Sequence, residues 1–216
     1  MKLIAPGSSF IVCLFLCLSG GSALAEQTVA GFVTRIRGEV LVTADARQQR
    51  VALGNALHLG SRIATGTNAR LEARMTDGTV LTLGEQTELT IEQVAGATPD
   101  SKNSLFEFLK GSFRAITRQP AANQTTRQWQ VRTPVAIIGV RGTTLWGGFN
   151  LQNAGANTLD VVMIKGKGVY VENSGNVTEL HLAGEGTTVT RTGAAPEPGK
   201  PWPMDKLQAA QKTIDW

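Results

Sequence analysis

The stretch TPVAIIGVRGTTLWGG, residues 133–148, decides how the chain folds. It begins with an apolar run from Val135 to Val140, which Arg141 and Gly142 then interrupt. A run that is apolar on both faces is typical of a strand that is covered on both sides. Pro134 suits the start of such a strand, because the first residue need not donate to the ladder. The glycine leaves room for a bulge or a bend, so the stretch predicts a buried strand that ends in a sharp corner.

Arg141 is the charged residue at this predicted corner. It must either reach solvent or pair with a carboxylate, because an unpaired buried charge is strongly destabilising. Asp77, Glu107 and Asp160 are candidate partners that the sequence does not distinguish. Two interpretations therefore stay open, an arginine that braces a tight corner and an arginine that belongs to a binding surface.

Short alternating segments separated by glycine make up most of the chain. Segments such as EVLVT (39–43) and TVLTL (79–83) place β-branched or apolar residues at every second position, a pattern typical of strands. Glycine accounts for 24 of the 216 residues and stands in turn pairs such as Asp77-Gly78. No long segment between residues 30 and 192 has a helical period, so the sequence predicts an all-β domain.

Internal similarity indicates how these strands are arranged. Residues 35–60 and 163–186 follow one plan, in which a basic residue and glycine precede a strand, a polar turn, a second strand and another glycine. Residues 108–116 repeat the first half of that plan. One such pair of strands cannot bury its apolar face alone, so stacked neighbours must supply the core. The predicted architecture is β-solenoid-like or a rolled sandwich of many short strands.

The first 25 residues have the features of a cleavable signal peptide. Lys2 precedes the apolar run FIVCLFLCL (10–18), and the tripeptide ALA at 23–25 has the small-x-small pattern of a cleavage point. The apolar run is too short to cross a bilayer, which takes roughly 20 residues. We therefore expect a mature chain that begins at Glu26, is exported to the periplasm and has no membrane span.

Composition argues against several classes of partner. Both cysteines, Cys13 and Cys17, lie in the predicted signal peptide, so the mature chain is expected to have no disulfide and no thiolate metal ligand. The 21 Lys and Arg against 17 Asp and Glu are a mild basic excess that is spread along the chain. Together with the predicted export, this charge balance argues against nucleic acid as a partner.

No group of residues in the sequence has the spacing of a catalytic or metal centre. The two histidines, His58 and His181, lie far apart and have no acidic cluster beside them, whereas a shared metal site demands more ligands. We predict an exposed strand position for each. The motifs Gly-x-Ser-x-Gly and His-Glu-x-x-His are absent from the sequence. The prediction is a protein that is not an enzyme and uses no metal or cofactor.

Two further segments follow the predicted β domain of residues 26–192. Residues 193–203 form a proline-rich linker that is not expected to pair in a sheet. Residues 204–216 are predicted to contain a short helix, with Asp205 as N-cap and Gln208 as its capping-box partner. The apolar residues on one face of this helix are Leu207, Ala210 and Ile214.

This C-terminal segment admits two interpretations. In the first, the short helix closes one end of the β domain, because strand edges at such ends need cover. In the second, the segment is a tail that binds a partner, with Trp202 and Trp216 as aromatic anchors.

Four motifs, in this order along the chain, resemble those of the FecR family. They are LGSRIATGTNARLEARMTDGTVLTLGEQTELTI (59–91), LFEFLKGSFRAI (105–116), WQVRTPVAIIGVRGTTLWGG (129–148) and VVMIKGKGVYV (161–171). The resemblance spans about residues 30–190 and implies a FecR-type β domain. On the family's pattern eight residues are framework positions and none is catalytic. These are Asp77, Gly78, Thr79, Thr133, Pro134, Arg141, Gly142 and Thr143.

The resemblance also implies a function. The best-known members of the family are inner-membrane regulators, with a cytoplasmic part that handles a sigma factor and a β domain outside that senses a receptor. This chain has a predicted signal peptide in place of the cytoplasmic part, so only the periplasmic role carries over. We expect a module that binds a membrane-associated sensor or receptor through exposed strand edges and regulates or assists its signalling. The alternative is a structural or adhesive envelope module that binds glycan or the cell surface.

Overall fold

The computed structural model describes residues 27–118, 128–152 and 157–216. The predicted signal peptide, residues 1–25, lies outside this part of the chain and stays a prediction. The described residues form eighteen strands and one helix. In chain order these elements are β1 (Val29–Arg37), β2 (Val40–Ala44), β3 (Arg47–Arg50), β4 (Ala56–His58), β5 (Arg62–Thr65), β6 (Arg70–Met75), β7 (Val80–Leu83), β8 (Glu88–Gln93), β9 (Ser104–Lys110), β10 (Ser112–Ile116), β11 (Trp129–Arg132), β12 (Ile137–Val140), β13 (Thr144–Phe149), β14 (Leu159–Lys165), β15 (Val169–Asn173), β16 (Asn176–Leu180), β17 (Glu185–Val189), β18 (Lys200–Pro201) and α1 (Met204–Lys212).

The strands form two nine-stranded sheets that enclose one core. Sheet A has the order β4-β1-β6-β7-β10-β13-β14-β17-β18, and sheet B has the order β3-β2-β5-β8-β9-β11-β12-β15-β16. Both orders follow the chain closely, because the chain crosses from one sheet to the other after every one or two strands. The prediction of an all-β fold with many short strands and a short C-terminal helix is confirmed.

The core lies between the inner faces of the two sheets. In β15, for example, Val169 and Val171 are buried while the residues between and after them are half-exposed, as the alternation of side chains along a strand requires. Phe108 of sheet B meets Phe113 of sheet A edge-to-face, with ring centroids 4.8 Å apart. Because these two rings belong to opposite sheets, their contact joins the layers directly.

The corner at Arg141 and Gly142 is the crossing between the sheets. β12 ends in sheet B at Val140, and β13 begins in sheet A at Thr144. Gly142 has a φ of +58°, a conformation that is costly for a residue with a Cβ. A charged residue and a glycine therefore stand inside an apolar stretch because the chain leaves one layer there and enters the next.

The start of β12 differs from the prediction. The strand begins at Ile137 rather than near Pro134, and residues 133–136 form the turn that joins β11 to β12. The Thr133 hydroxyl oxygen accepts hydrogen bonds from the backbone N–H groups of Val135 (3.2 Å) and Ala136 (2.9 Å). A turn forms here because the threonine satisfies these donors.

The proline-rich linker and the helix cap also differ from the predictions. Lys200 and Pro201 pair with β17 as the edge strand β18, which is possible because an edge strand leaves one side without ladder bonds. The N-cap position of α1 is Pro203, without a side-chain hydrogen bond, and Asp205 lies in the first turn. Asp205 there still interacts favourably with the helix dipole. No helix among the described residues has both the length and the apolar character that crossing a membrane requires.

Candidate functional site

One end of the sandwich is covered by the proline-rich segment. The Thr178 hydroxyl of β16 donates to the Pro196 carbonyl oxygen at 3.3 Å. The Asn173 side-chain amide of β15 donates to the carbonyl oxygens of Arg191 (2.9 Å) and Ala194 (2.7 Å). The segment therefore covers part of the end that carries β16 and β18, whereas one interpretation assigned the cover of an end to the helix.

The opposite end, formed by β3 and β4, is open. All four residues of β3 are exposed, and among the described strands β3 pairs only with β2 and β4 only with β1. Phe32, which pairs with Ala56 of β4, is 50% exposed, and Leu53 is 65% exposed. Leu53 lies in a turn that the Gly54 backbone N–H ties to the Val33 carbonyl at 2.9 Å. This end, which we call the open end, combines free backbone edges with exposed apolar side chains.

The two best-defined motifs of the sequence meet around a small cleft. The turn at Asp77–Thr79 joins β6 to β7, and the corner at Arg141 and Gly142 joins β12 to β13. Both border a cavity of about 50 Å³, which we call the arginine cleft. The residues on which its chemistry depends are Asp77, Thr79, Arg118, Trp129, Arg141 and Gly142.

Asp77 is fully engaged within the fold. One carboxylate oxygen accepts the Thr79 backbone N–H at 2.8 Å, and the other accepts the Ser104 hydroxyl at 2.6 Å. Ser104 begins β9 in sheet B, so this carboxylate links the two sheets. Gly78 has a φ of +84°, and a Cβ there would lie 2.6 Å from the Arg118 side chain. Glycine at this position therefore serves both the turn and the packing of Arg118.

Thr143 connects three segments of backbone. Its buried hydroxyl lies 3.1 Å from the Arg141 carbonyl oxygen and 2.9 Å from that of Gly168. Its backbone N–H donates to the Thr117 hydroxyl at 2.9 Å, and the Thr117 N–H donates to its carbonyl oxygen at 3.0 Å. This arrangement holds the corner in place without using the arginine side chain.

The hydroxyl of Thr143 provides a direct test of its structural role. We expect Thr143→Val to lower the free energy of unfolding by about 1–2 kcal/mol, because buried backbone carbonyls lose their hydrogen-bond partner at unchanged volume. Thr144→Val, at the half-buried next position, is the control and is expected to change stability by less than about 0.5 kcal/mol. Urea unfolding of both variants measures the difference. Equal losses would show that the Thr143 hydroxyl has no special role.

Arg141 reaches solvent. Within the described ranges no carboxylate lies at ion-pair distance from it, and its three candidate partners are placed otherwise. Asp77 is engaged by Thr79 and Ser104, Glu107 is a half-buried residue of β9, and Asp160 pairs with Lys206. The guanidinium is thus free to interact at the mouth of the arginine cleft.

The two histidines lie at opposite ends of the sandwich. His58 is in β4 and half-buried, so the prediction of an exposed position was wrong for it. His181 follows β16 and is exposed, with Nε2 3.3 Å from a Glu179 carboxylate oxygen. In the part of the chain that the structure describes, no group of three or more His, Cys, Asp or Glu residues is arranged to hold a metal ion.

The C-terminal segment, residues 202–216, lies on the outer face of sheet A, and we call it the C-terminal strap. Trp146 and Val162 of sheet A point outward and form a second apolar cluster with the strap. The Trp146 indole N–H donates to the Thr213 hydroxyl at 3.0 Å. Trp202 lies over Gly186, where a Cβ would be 2.3 Å from its ring. The helix therefore covers a face of the domain rather than one of its ends.

Polar contacts extend along the strap. Lys206 Nζ lies 2.7 Å from a carboxylate oxygen of the buried Asp160 and 4.1 Å from the centre of the Trp202 ring. Farther along, the Arg35 guanidinium lies 4.1 Å from the centre of the Trp216 ring. Burial lowers the pKa of Arg70, whose guanidinium also faces the Lys212 carbonyl at 3.5 Å. In this conformation the strap docks on its own domain, and Trp202 is not available as an anchor for a partner.

Sequence reasoning missed Arg118 and Trp129 of the arginine cleft. Trp129 stands opposite Ser104 in the parallel pairing of β11 with β9, and Ser104 in turn binds Asp77. Only this non-local pairing brings the indole beside the Asp77 turn. The available signal was weak, namely a tryptophan that begins one of the resembling motifs.

Comparison with known proteins agrees with this fold. The family model described as FecR protein matches residues 61–167, a range that contains all eight residues predicted as framework positions. Two crystal structures of a candidate anti-sigma factor from Parabacteroides distasonis ATCC 8503, at 1.65 and 2.50 Å resolution, each align with a TM-score of 0.54 and 20% identity. Each alignment covers 68% of this chain and 62% of the other. At this identity the likeness shows a shared fold alone. The search of curated proteins found no match.

Proposed function

Because the chain belongs to the FecR family, we propose that it is a non-enzymatic, periplasmic protein-binding module. It binds a membrane-associated sensor or receptor and regulates or assists the signalling of that protein. The single observation that carries this proposal is the edge strand β3, which has all four residues exposed and pairs only with β2 among the described strands.

The free backbone of β3 supports binding by strand addition. A strand from a partner that pairs with a free edge gains its affinity from main-chain hydrogen bonds, so no constellation of side chains is needed. Phe32 of β1 and Leu53 of the turn before β4, both exposed at the open end, add apolar surface that such a partner covers. The predicted absence of a catalytic centre agrees with a function of this kind.

Charge selects the kind of strand that β3 accepts. Arg47 and Arg50 are both exposed at this edge, and Arg50 Nη2 lies 2.6 Å from a Glu39 carboxylate oxygen. In a centred antiparallel pairing of two copies, Arg47 of each copy would face Arg50 of the other, and like charges directly opposite are destabilising. The edge therefore favours an extended segment with acidic residues over a second copy of this chain.

Site-specific photo-crosslinking in the producing cells tests this function. A benzophenone amino acid at Gln48 in β3 is expected to capture a membrane-associated signalling protein. The same label at Val177, an exposed residue of β16 at the covered end, is the control and is expected to capture none. Recovery of glycan or peptidoglycan alone from the Gln48 position would favour the adhesive alternative and overturn the signalling function.

The captured protein then allows a test of the binding mode. An acidic extended segment of it, made as a peptide, is expected to bind the purified protein. Arg47→Glu together with Arg50→Glu is expected to weaken binding by at least about tenfold, because like charges then face each other. An unchanged dissociation constant in the double variant would place the contact elsewhere on the domain.

A further inference from the structure

We propose that the arginine cleft is a binding site for a single carboxylate group of a polypeptide. This site is separate from the open end, and its existence does not depend on the sensor or receptor proposed above. The inference rests on the charges of the cleft, on one unsatisfied donor and on a second cavity that shares two lining residues with it.

The charges around the cleft match a monoanion. Arg118 and Arg141 are both exposed residues that border it. Asp77, the carboxylate beside them, has both oxygens occupied by Thr79 and Ser104. Two guanidinium groups and one carboxylate leave a single positive charge, which a carboxylate neutralises and a phosphate dianion exceeds. The planar fork of a guanidinium also fits the two oxygens of a carboxylate.

Trp129 adds a donor that lacks an acceptor. The residue is 6% exposed and borders the cleft. Its buried indole Nε1 has no hydrogen-bond partner among the described residues. A buried donor without a partner is unfavourable and uncommon in folded proteins. A carboxylate oxygen in the cleft is the acceptor that we infer for this N–H.

The size of the cleft sets the size of its ligand. A cavity of about 50 Å³ exceeds the roughly 10–15 Å³ that one water molecule requires. It therefore has room for a group of the size of a carboxylate. A carboxylate fits this volume, and the rest of a larger ligand then lies outside the cleft.

A neighbouring groove accounts for the rest of the ligand. Arg141 and Val140 border both the cleft and a second cavity of about 400 Å³. The second cavity is lined further by Tyr170 and Leu180, which provide apolar surface, and by the oppositely charged side chains of Lys167 and Glu179. A peptide whose carboxylate enters the cleft can lay its adjoining residues along this groove, which favours a polypeptide over a small organic acid.

Titration of the ¹⁵N-labelled protein followed by NMR tests the site. The four tryptophans of the chain each have an indole N–H signal, and the Trp129→Phe variant identifies the one from Trp129. Sodium acetate at constant ionic strength is expected to shift this signal saturably, while sodium chloride leaves it in place. If acetate does not move the Trp129 signal, or moves all four indole signals alike, the proposal is wrong.

Substitutions identify the residues that bind the carboxylate. Arg141→Ala and Arg118→Ala are each expected to weaken acetate binding at least tenfold, and Arg141→Lys to weaken it less, because the charge stays while the fork is lost. Arg132→Ala is the matched control, since Arg132 is an exposed arginine of β11 that does not border the cleft. Unchanged signals elsewhere in the spectrum verify folding. Equal effects of all three alanine variants would show that acetate is attracted by the positive charge of the surface in general and would overturn the specific site.

Two peptides distinguish the source of the carboxylate. One is a tetra-alanine with a free C-terminus, and the other has a central glutamate and an amidated C-terminus. Binding of only the first assigns the cleft to a C-terminal carboxylate, and binding of only the second assigns it to an acidic side chain. Each is expected to bind more tightly than acetate if it also occupies the groove. Failure of both peptides to bind more tightly than acetate would overturn the polypeptide assignment.

Discussion

Trp146→Ala is expected to lower the free energy of unfolding by about 3–5 kcal/mol, as for other large aromatic residues removed from a packed site. Trp146 is 1% exposed and lies at the centre of the cluster that joins the C-terminal strap to sheet A. Its ring meets Trp202 edge-to-face at 6.2 Å, and its N–H donates to Thr213. The substitution therefore removes apolar contact, an aromatic pair and a hydrogen bond together.

The same substitution is expected to release the strap before the domain unfolds. Urea unfolding measures the stability change, and limited trypsin digestion measures the release, because cleavage after Lys206 requires that the strap leave the sheet. Ile116→Ala is the control on the same outer face, where the side chain is 40% exposed, and is expected to cost less than about 1 kcal/mol. Comparable losses in the two variants, or a strap that stays resistant to trypsin, would contradict the docking described above.

Lys206→Met is expected to lower the free energy of unfolding by about 3 kcal/mol. The side chains of Lys206 and Asp160 are 14% and 5% exposed, and their charged atoms lie 2.7 Å apart. Removing the lysine leaves a buried carboxylate with the Thr188 hydroxyl, at 2.7 Å, as its remaining partner. Breaking one half of a buried ion pair typically costs about 3–5 kcal/mol, which sets the expected size of the effect.

Two further variants isolate the charge effect at this pair. Asp160→Leu combined with Lys206→Met is expected to recover most of the lost stability, because replacing both charges with apolar groups leaves neither unpaired. Lys200→Met is the matched surface control, since Lys200 and Glu197 form an exposed pair that is worth about 0–1 kcal/mol. Urea unfolding at neutral pH compares all three. Equal losses for Lys206→Met and Lys200→Met would mean that the Asp160 pair is as solvated as the surface one.

The local pattern of residues was sufficient to predict the strands and their turns. Val169 and Val171 alternate with polar neighbours, and this period alone indicates a strand with one buried face. Asp77-Gly78 forms the turn that its composition predicts, with the glycine at positive φ. Such properties are short-range, because each depends on the conformational preferences of a few adjacent residues. The strands and turns predicted in this way form in the structure wherever no contact with a distant residue competes with them.

Only part of the arginine cleft could be predicted from the sequence. The framework motifs drew attention to Arg141 and to the Asp77 turn, but nothing local indicated that the two share a cleft with Arg118 and Trp129. The partner of Arg141 was also open, because charge alone does not distinguish Asp77, Glu107 and Asp160, and nothing in the sequence pointed to Lys206 as the partner of Asp160. The tertiary structure decides in favour of Lys206, since the strap crosses the outer face of sheet A where Asp160 lies.

The sequence by itself determined the all-β character, the positions of most turns and the short helix. These features depend on backbone propensity and on the two-residue period of a strand, and both are properties of adjacent residues. The tertiary structure alone decided which end of the sandwich is covered, which face the helix occupies and which side chains line the arginine cleft. These features follow from the order in which the strands pair across two sheets. That order places residues from distant parts of the chain side by side. The contacts between them stabilise the fold, but no local sequence pattern specifies which distant residues meet.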